Sequence, residues 1–79
     1  MFLEIISPDA KIYSGEINSA VFPGVSGSFG ILNNHAPIIS TLKNGKIKVV
    51  ESFGNKELFF DINGGVVEVL SNKIIVLAE

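Results

Sequence analysis

One histidine, eight carboxylates and six lysines are the side chains that could move a proton or carry charge near neutral pH in this 79-residue chain, which has no cysteine. His35 is the candidate general base, and Asn33-Asn34 before it could hold its ring by hydrogen bonds. A nucleophilic site also needs an activated hydroxyl and an oxyanion hole, and no helix start offers one. His35 therefore reads as an exposed contact residue, with a His35-dependent enzyme as the alternative. Glu4, Asp9, Glu16, Glu51, Glu57, Asp61, Glu68 and Glu79 are scattered through the chain without the close spacing of a calcium loop, and read as solvating charges. A zinc site is not expected from one histidine and no thiols.

Gly24-Val25-Ser26-Gly27-Ser28-Phe29-Gly30 invites a phosphate-loop reading, because closely spaced backbone amides can cradle an anion. It lacks the lysine and hydroxyl of a P-loop and meets Pro37 instead of opening a helix, so the glycines read as structural. Lys43 and Lys46 flank an expected hairpin turn and raise a lipoyl- or biotinyl-like carrier as a further alternative. Leu42 and Gly45 precede them where such modules usually place an acidic residue or methionine. No catalytic, cofactor-binding or metal-ligating residue is assigned, and no cofactor is implied.

Val21 to Leu42 concentrates the residues of special character, with two of the three prolines, three glycines and the sole histidine. Pro23-Gly24 is expected to turn the chain, Gly27 and Gly30 to flank a buried Phe29, and Pro37 to hold Ala36 extended. Around this loop the chain reads as strands: Phe2–Ile6, Lys11–Ser14, Ile17–Phe22, Ser28–Leu32, Ile38–Leu42, Lys46–Val49, Lys56–Asn63, Val66–Leu70 and Lys73–Leu77. Turns are expected at Ser7-Pro8-Asp9, Gly54-Asn55 and Ser71-Asn72, and most clearly at Asn44-Gly45, a pair suited to a type I′ hairpin. Gly64-Gly65 marks a bulge, a bend or a close backbone approach. No window carries a 3.6-residue apolar period. The fold class is therefore all-β: a two-sheet β-sandwich or flattened barrel of about nine or ten short strands, with no helix.

The length allows one domain with a limited core, and 47% hydrophobic residues is generous for that core. Some apolar side chains are thus expected to meet a partner protein. All six basic residues are lysines and the net charge is −2, which argues against nucleic acid. Phe2–Ile6 is too short and acidic for a signal peptide, and no apolar run approaches a membrane span of about 20 residues.

Four stretches together resemble the amino-terminal β-sandwich of the epsilon subunits of F-type ATP synthases. They are Lys11-Ile12-Tyr13-Ser14-Gly15; Phe22-Pro23-Gly24 with Gly27-Ser28-Phe29-Gly30-Ile31-Leu32; Asn34-His35-Ala36-Pro37 with Ile38-Ile39-Ser40; and Gly64-Gly65-Val66-Val67-Glu68-Val69 leading to Val76-Leu77-Ala78-Glu79. The resemblance implies a sandwich of two five-stranded sheets over residues 1–79, in a non-catalytic subunit of the central rotor. That subunit binds the gamma subunit through one side and the c-ring through its lower end, coupling proton or sodium flow to ATP synthesis. It also implies that Ser28, His35 and Ser40 face the c-ring and that Ile12 and Ile39 face gamma. Relatives commonly carry an acidic residue where Ser28 stands. They also usually continue past the Leu-Ala-Glu region into a helical hairpin, some binding ATP there. The expectation for this sequence is no such hairpin and no direct nucleotide binding. Membrane association would come only through the complex, peripheral to the bacterial inner membrane on its cytoplasmic side.

Overall fold

The computed structural model describes all residues from Met1 to Glu79 and contains six strands and no helix. They are β1 (Phe2–Ile6), β2 (Lys11–Gly24), β3 (Gly27–Leu32), β4 (Ile38–Glu51), β5 (Glu57–Leu70) and β6 (Lys73–Ala78). They lie in the order β1-β6-β5-β4-β2-β3, and a further β1–β2 pairing closes the first five into a flattened barrel, with β3 an edge strand along the second half of β2 that buries Ile31 in the core. β1 and β6 run parallel and every other pair is antiparallel.

The strand count falls short of nine or ten because three strands, β2, β4 and β5, are each 14 residues long and do the work of two. Each changes once which side of its alternation faces the core. In β5 the buried residues are Ile62 before the bend and Val67 and Val69 after it; in β4 they are Leu42, then Ile47 and Val49; in β2, Ile17, then Ala20 and Phe22. A break in the two-residue period reads locally as the end of one strand and the start of another. In three dimensions it is a corner that lets one strand serve both layers.

The β4–β5 corner keeps register: Leu42 pairs with Gly65 and Asn44 with Asn63, so both strands bend together. Gly65 has φ 149°, and a Cβ there would run into the Leu77 carbonyl oxygen, so only glycine lets β6 pass this close. Of the bulge, bend or close approach expected of the glycine pair, the structure shows the close approach, at a bend. The Asn44-Gly45 hairpin does not form. Asn44 lacks the positive φ that a type I′ turn demands, and the segment continues through β4. Gly45 instead leaves room for the Pro23 ring, whose Cβ would lie 3.0 Å from an added Cβ. Pro23 is tolerated inside β2 because the β2–β4 ladder is interrupted between Val21 and Gly24, where no N–H is required. Nor does Pro23-Gly24 turn the chain; both residues pair with β3 and the turn is Val25-Ser26. The type I′ conformation appears at Ser71-Asn72, with φ of 51° and 59° between the paired Leu70 and Lys73.

Sixteen buried residues, all apolar, fill the barrel, and the largest fully enclosed side chain is Phe22. Its ring lies 5.7 Å from that of half-buried Phe29, a tilted pair that fixes β3 onto β2. Tyr13 packs on Phe60 at 5.1 Å and its hydroxyl donates to Glu51 Oε2 over 2.7 Å, tying β2 to β4. Burial, then the neighbouring carboxylate, push the Tyr13 phenol up to about 12.

Candidate functional site

Inward-facing residues of β1, β6 and the second half of β5 make the core, so their alternates must face outward. The register lines these up in rows across the sheet. One row runs Thr41, Val66, Leu77, Ile6, and the next runs Ile39, Glu68, Ile75, Glu4. Ile39 is 72% exposed and Leu70, Leu77 and Val66 are also open to solvent. The strands thus carry a sheet face whose residues are apolar except at Glu68, Thr41, Lys73 and the Lys11-paired Glu4. Lys11 Nζ lies 2.9 Å from Glu4 Oε2 and holds that carboxyl below the usual carboxylate range.

Ile39 sits at the β4 margin of this face. Ile12 is exposed on β2, beyond β1, on the strand that closes the barrel. The two predicted gamma-facing residues are therefore both open to solvent but stand at opposite margins of the outer surface β4-β5-β6-β1-β2.

The polar residues form no single cluster. Ser28 is exposed on β3, opposite Pro23 and next to the β2–β3 turn. His35 lies past the other end of β3, which at about 3.3 Å per residue puts at least about 13 Å of strand between Ser28 and the loop. Ser40 stands on the core side of β4, opposite fully buried Val67, and is half-buried.

His35 is half-buried, with Nδ1 2.7 Å from the Ala36 carbonyl oxygen. That oxygen can only accept, so in the neutral ring Nδ1 carries the proton and Nε2 is the free acceptor. The asparagines do not hold the ring. Asn34 uses its backbone N–H to reach Asn72 Oδ1 at 2.8 Å, which pins the β3–β4 loop to the β5–β6 turn. Between them lies an open cleft of about 560 Å³ lined by Asn34, His35, Pro37, Leu70, Ser71 and Asn72. No carboxylate lines it, so an imidazole there would act without an acid partner. Across the whole chain no three His, Cys, Asp or Glu side chains gather in a metal-holding group. The carrier alternative loses its geometry as well: with no hairpin tip, Lys46 lies along β4 and pairs with Asp61 at 2.9 Å.

The sequence profile described as ATP synthase, Delta/Epsilon chain, beta-sandwich domain, matches residues 1–79. The chain belongs to that family. It is 43% identical over 77 residues to the ATP synthase epsilon chain of Chlorobaculum tepidum, covering 98% of this chain and 86% of the relative. It is 43% identical over 75 residues to the epsilon chain of Dichelobacter nodosus, covering 95% of this chain but only 52% of that one. Its length therefore spans most of one relative and about half of the other. Its fold is shared with a chain in the cryo-EM structure of the Euglena gracilis mitochondrial ATP synthase, OSCP/F1/c-ring, with TM-score 0.85 and 21% identity over 96% of this chain and 48% of that one. A chain of the Tetrahymena thermophila mitochondrial ATP synthase central stalk/c-ring structure matches with TM-score 0.79 and 19% identity, over 99% and 62% of the two chains. The relatives it matches carry the name of a subunit, the ATP synthase epsilon chain.

Residue-by-residue reading of the sequence missed the outward face of β5 and β6 as a surface, including Glu68. The signal was available: Ile74 to Leu77 is apolar at every position, as a strand covered on both sides is.

Proposed function

We propose that the chain is a non-catalytic rotor subunit of an F-type ATP synthase, docking on the gamma subunit through the outer face of β4, β5 and β6 and meeting the c-ring through its polar loops. The observation that carries this reading is that apolar face, together with membership of the family of epsilon chains. In this reading Ile39 faces gamma and Ile12 could do so only at the far margin, on β2; Ser28 and His35 face the c-ring, whereas Ser40, on the core side of β4, is not placed to do so. Torque transfer suits a barrel closed by hydrogen bonds, with a core of close-packed apolar side chains that resists deformation. The role requires no nucleotide bound by this chain and no membrane insertion; the chain would lie at the cytoplasmic side of the bacterial inner membrane, held there by its partners. Co-purification with gamma and a detergent-solubilised c-ring tests the proposal. Retention by gamma in the absence of the ring is the expected result, and failure to bind gamma refutes it.

A further inference from the structure

Glu68 stands in the middle of the apolar face. Its direct cross-strand neighbours are Ile39 on β4 and Ile75 on β6, and Val66 and Leu70 flank it along β5. Three shallow hollows, of about 370, 290 and 180 Å³, all have Glu68 in their walls. The ion pairs of the molecule are Lys11–Glu4, Lys46–Asp61 and Lys48–Glu57, and Glu68 belongs to none. The cation diagonal to it across β5–β6, Lys73, shares the wall of the 290 Å³ hollow but forms no ion pair with Glu68, its ammonium lying 5.8 Å from the centre of the Phe2 ring.

A partner seated on this face takes Glu68 out of water. Burying an unpaired carboxylate costs more than the surrounding apolar contacts return, so a surface that covers it must supply a positive charge. A second copy paired about Glu68 does not: it brings Glu68 against its own counterpart, like charge against like, while Lys73 stays over the Phe2 ring. A purely apolar segment leaves the carboxylate stranded. We propose that Glu68 is the specificity-determining residue of this face. Its occupant is a protein surface that presents one lysine or arginine within an apolar surround, the cation seating between Ile39 and Ile75. This rests on the docking reading given above, in which that surface belongs to gamma.

The experiment is calorimetric titration of the full chain with gamma, using wild type, Glu68→Gln, Glu68→Lys and Ile39→Asp, with circular dichroism to confirm that each is folded. Glu68→Gln is expected to weaken binding at least about tenfold, and Glu68→Lys further, with the wild-type affinity falling as salt is raised. Wild-type affinity for Glu68→Gln alongside lost binding for Ile39→Asp overturns the charge assignment and leaves the docking face standing. Wild-type affinity for all three removes the docking reading itself. Self-association of the wild type that Ile39→Asp abolishes would overturn the proposal in favour of a second copy.

Discussion

The same two strands build both outer surfaces of the barrel, and the surfaces differ. On one side of the corner, β4 and β5 show Ile39, Val66 and Leu70; on the other they show Lys46, Lys48, Glu57 and Asp61. The charges of the second surface are matched across the strands, Lys46 to Asp61 at 2.9 Å and Lys48 to Glu57 at 3.6 Å. Exposed Phe59 lies directly opposite Lys48, whose methylene stem can lie along the ring. The charges of that surface are thus met within the chain, although Phe59 and, on the adjoining β2 and β3, Val21 and Leu32 stay exposed. The first leaves apolar side chains uncovered and its central carboxylate unmatched. One element can therefore have its charges matched at one end and not at the other, and the end with the unmatched charge is where a partner fits.

The largest effect should come from breaking the surface with the unmatched charge. Ile39→Asp is expected to weaken gamma binding by about a hundredfold or more, because it buries a second unpaired charge. The matching change on the other surface, Phe59→Asp, should alter it less than about threefold; equal losses in the two titrations would erase the distinction between surfaces. Next in size is the corner that separates them. Gly65→Ala forces a side chain into a left-handed backbone and onto the Leu77 carbonyl, and should cost roughly 2–3 kcal/mol in urea unfolding. In a domain this small that lowers the melting temperature by roughly 10–20 °C.

Tyr13 locks β2 to β4 beneath the charged surface, and Tyr13→Phe should cost about 1–2 kcal/mol in the same assay. Its folded phenol lies at about 12 against an ordinary value of 10.0, so the folded state holds its proton longer than the unfolded chain does. The stability it contributes is complete below pH 10 and falls as the pH rises toward about 12, a decline that Tyr13→Phe should remove from melting curves. Smallest of all, Lys46→Ala or Lys48→Ala should change stability by less than about 1 kcal/mol, since both pairs are exposed.

The β class, the absence of helix and most turn positions were legible in the sequence because they depend on local alternation and turn chemistry. Ser71-Asn72 and Gly54-Asn55 turn as their residue types suggest. Strand number was not legible. At Asn44-Gly45 the local preference for a hairpin is outweighed by the pairing of Ile38 to Val50 with β5 in a single register, a contact fixed only once the barrel closes. The site was half legible. Excess apolar composition pointed to a partner, but which residues face it depends on where each long strand changes phase. Ser40, beside Ile39 in sequence, faces the opposite way by the two-residue alternation of β4.

The absence of native cysteine permits a direct measurement of which surface gamma covers. Ile39→Cys and Phe59→Cys chains are each alkylated with a maleimide, alone and bound to gamma, and the rates compared. Gamma should slow the reaction at position 39 by at least about tenfold and leave position 59 unchanged. Protection at 59 with free reaction at 39 would contradict the account.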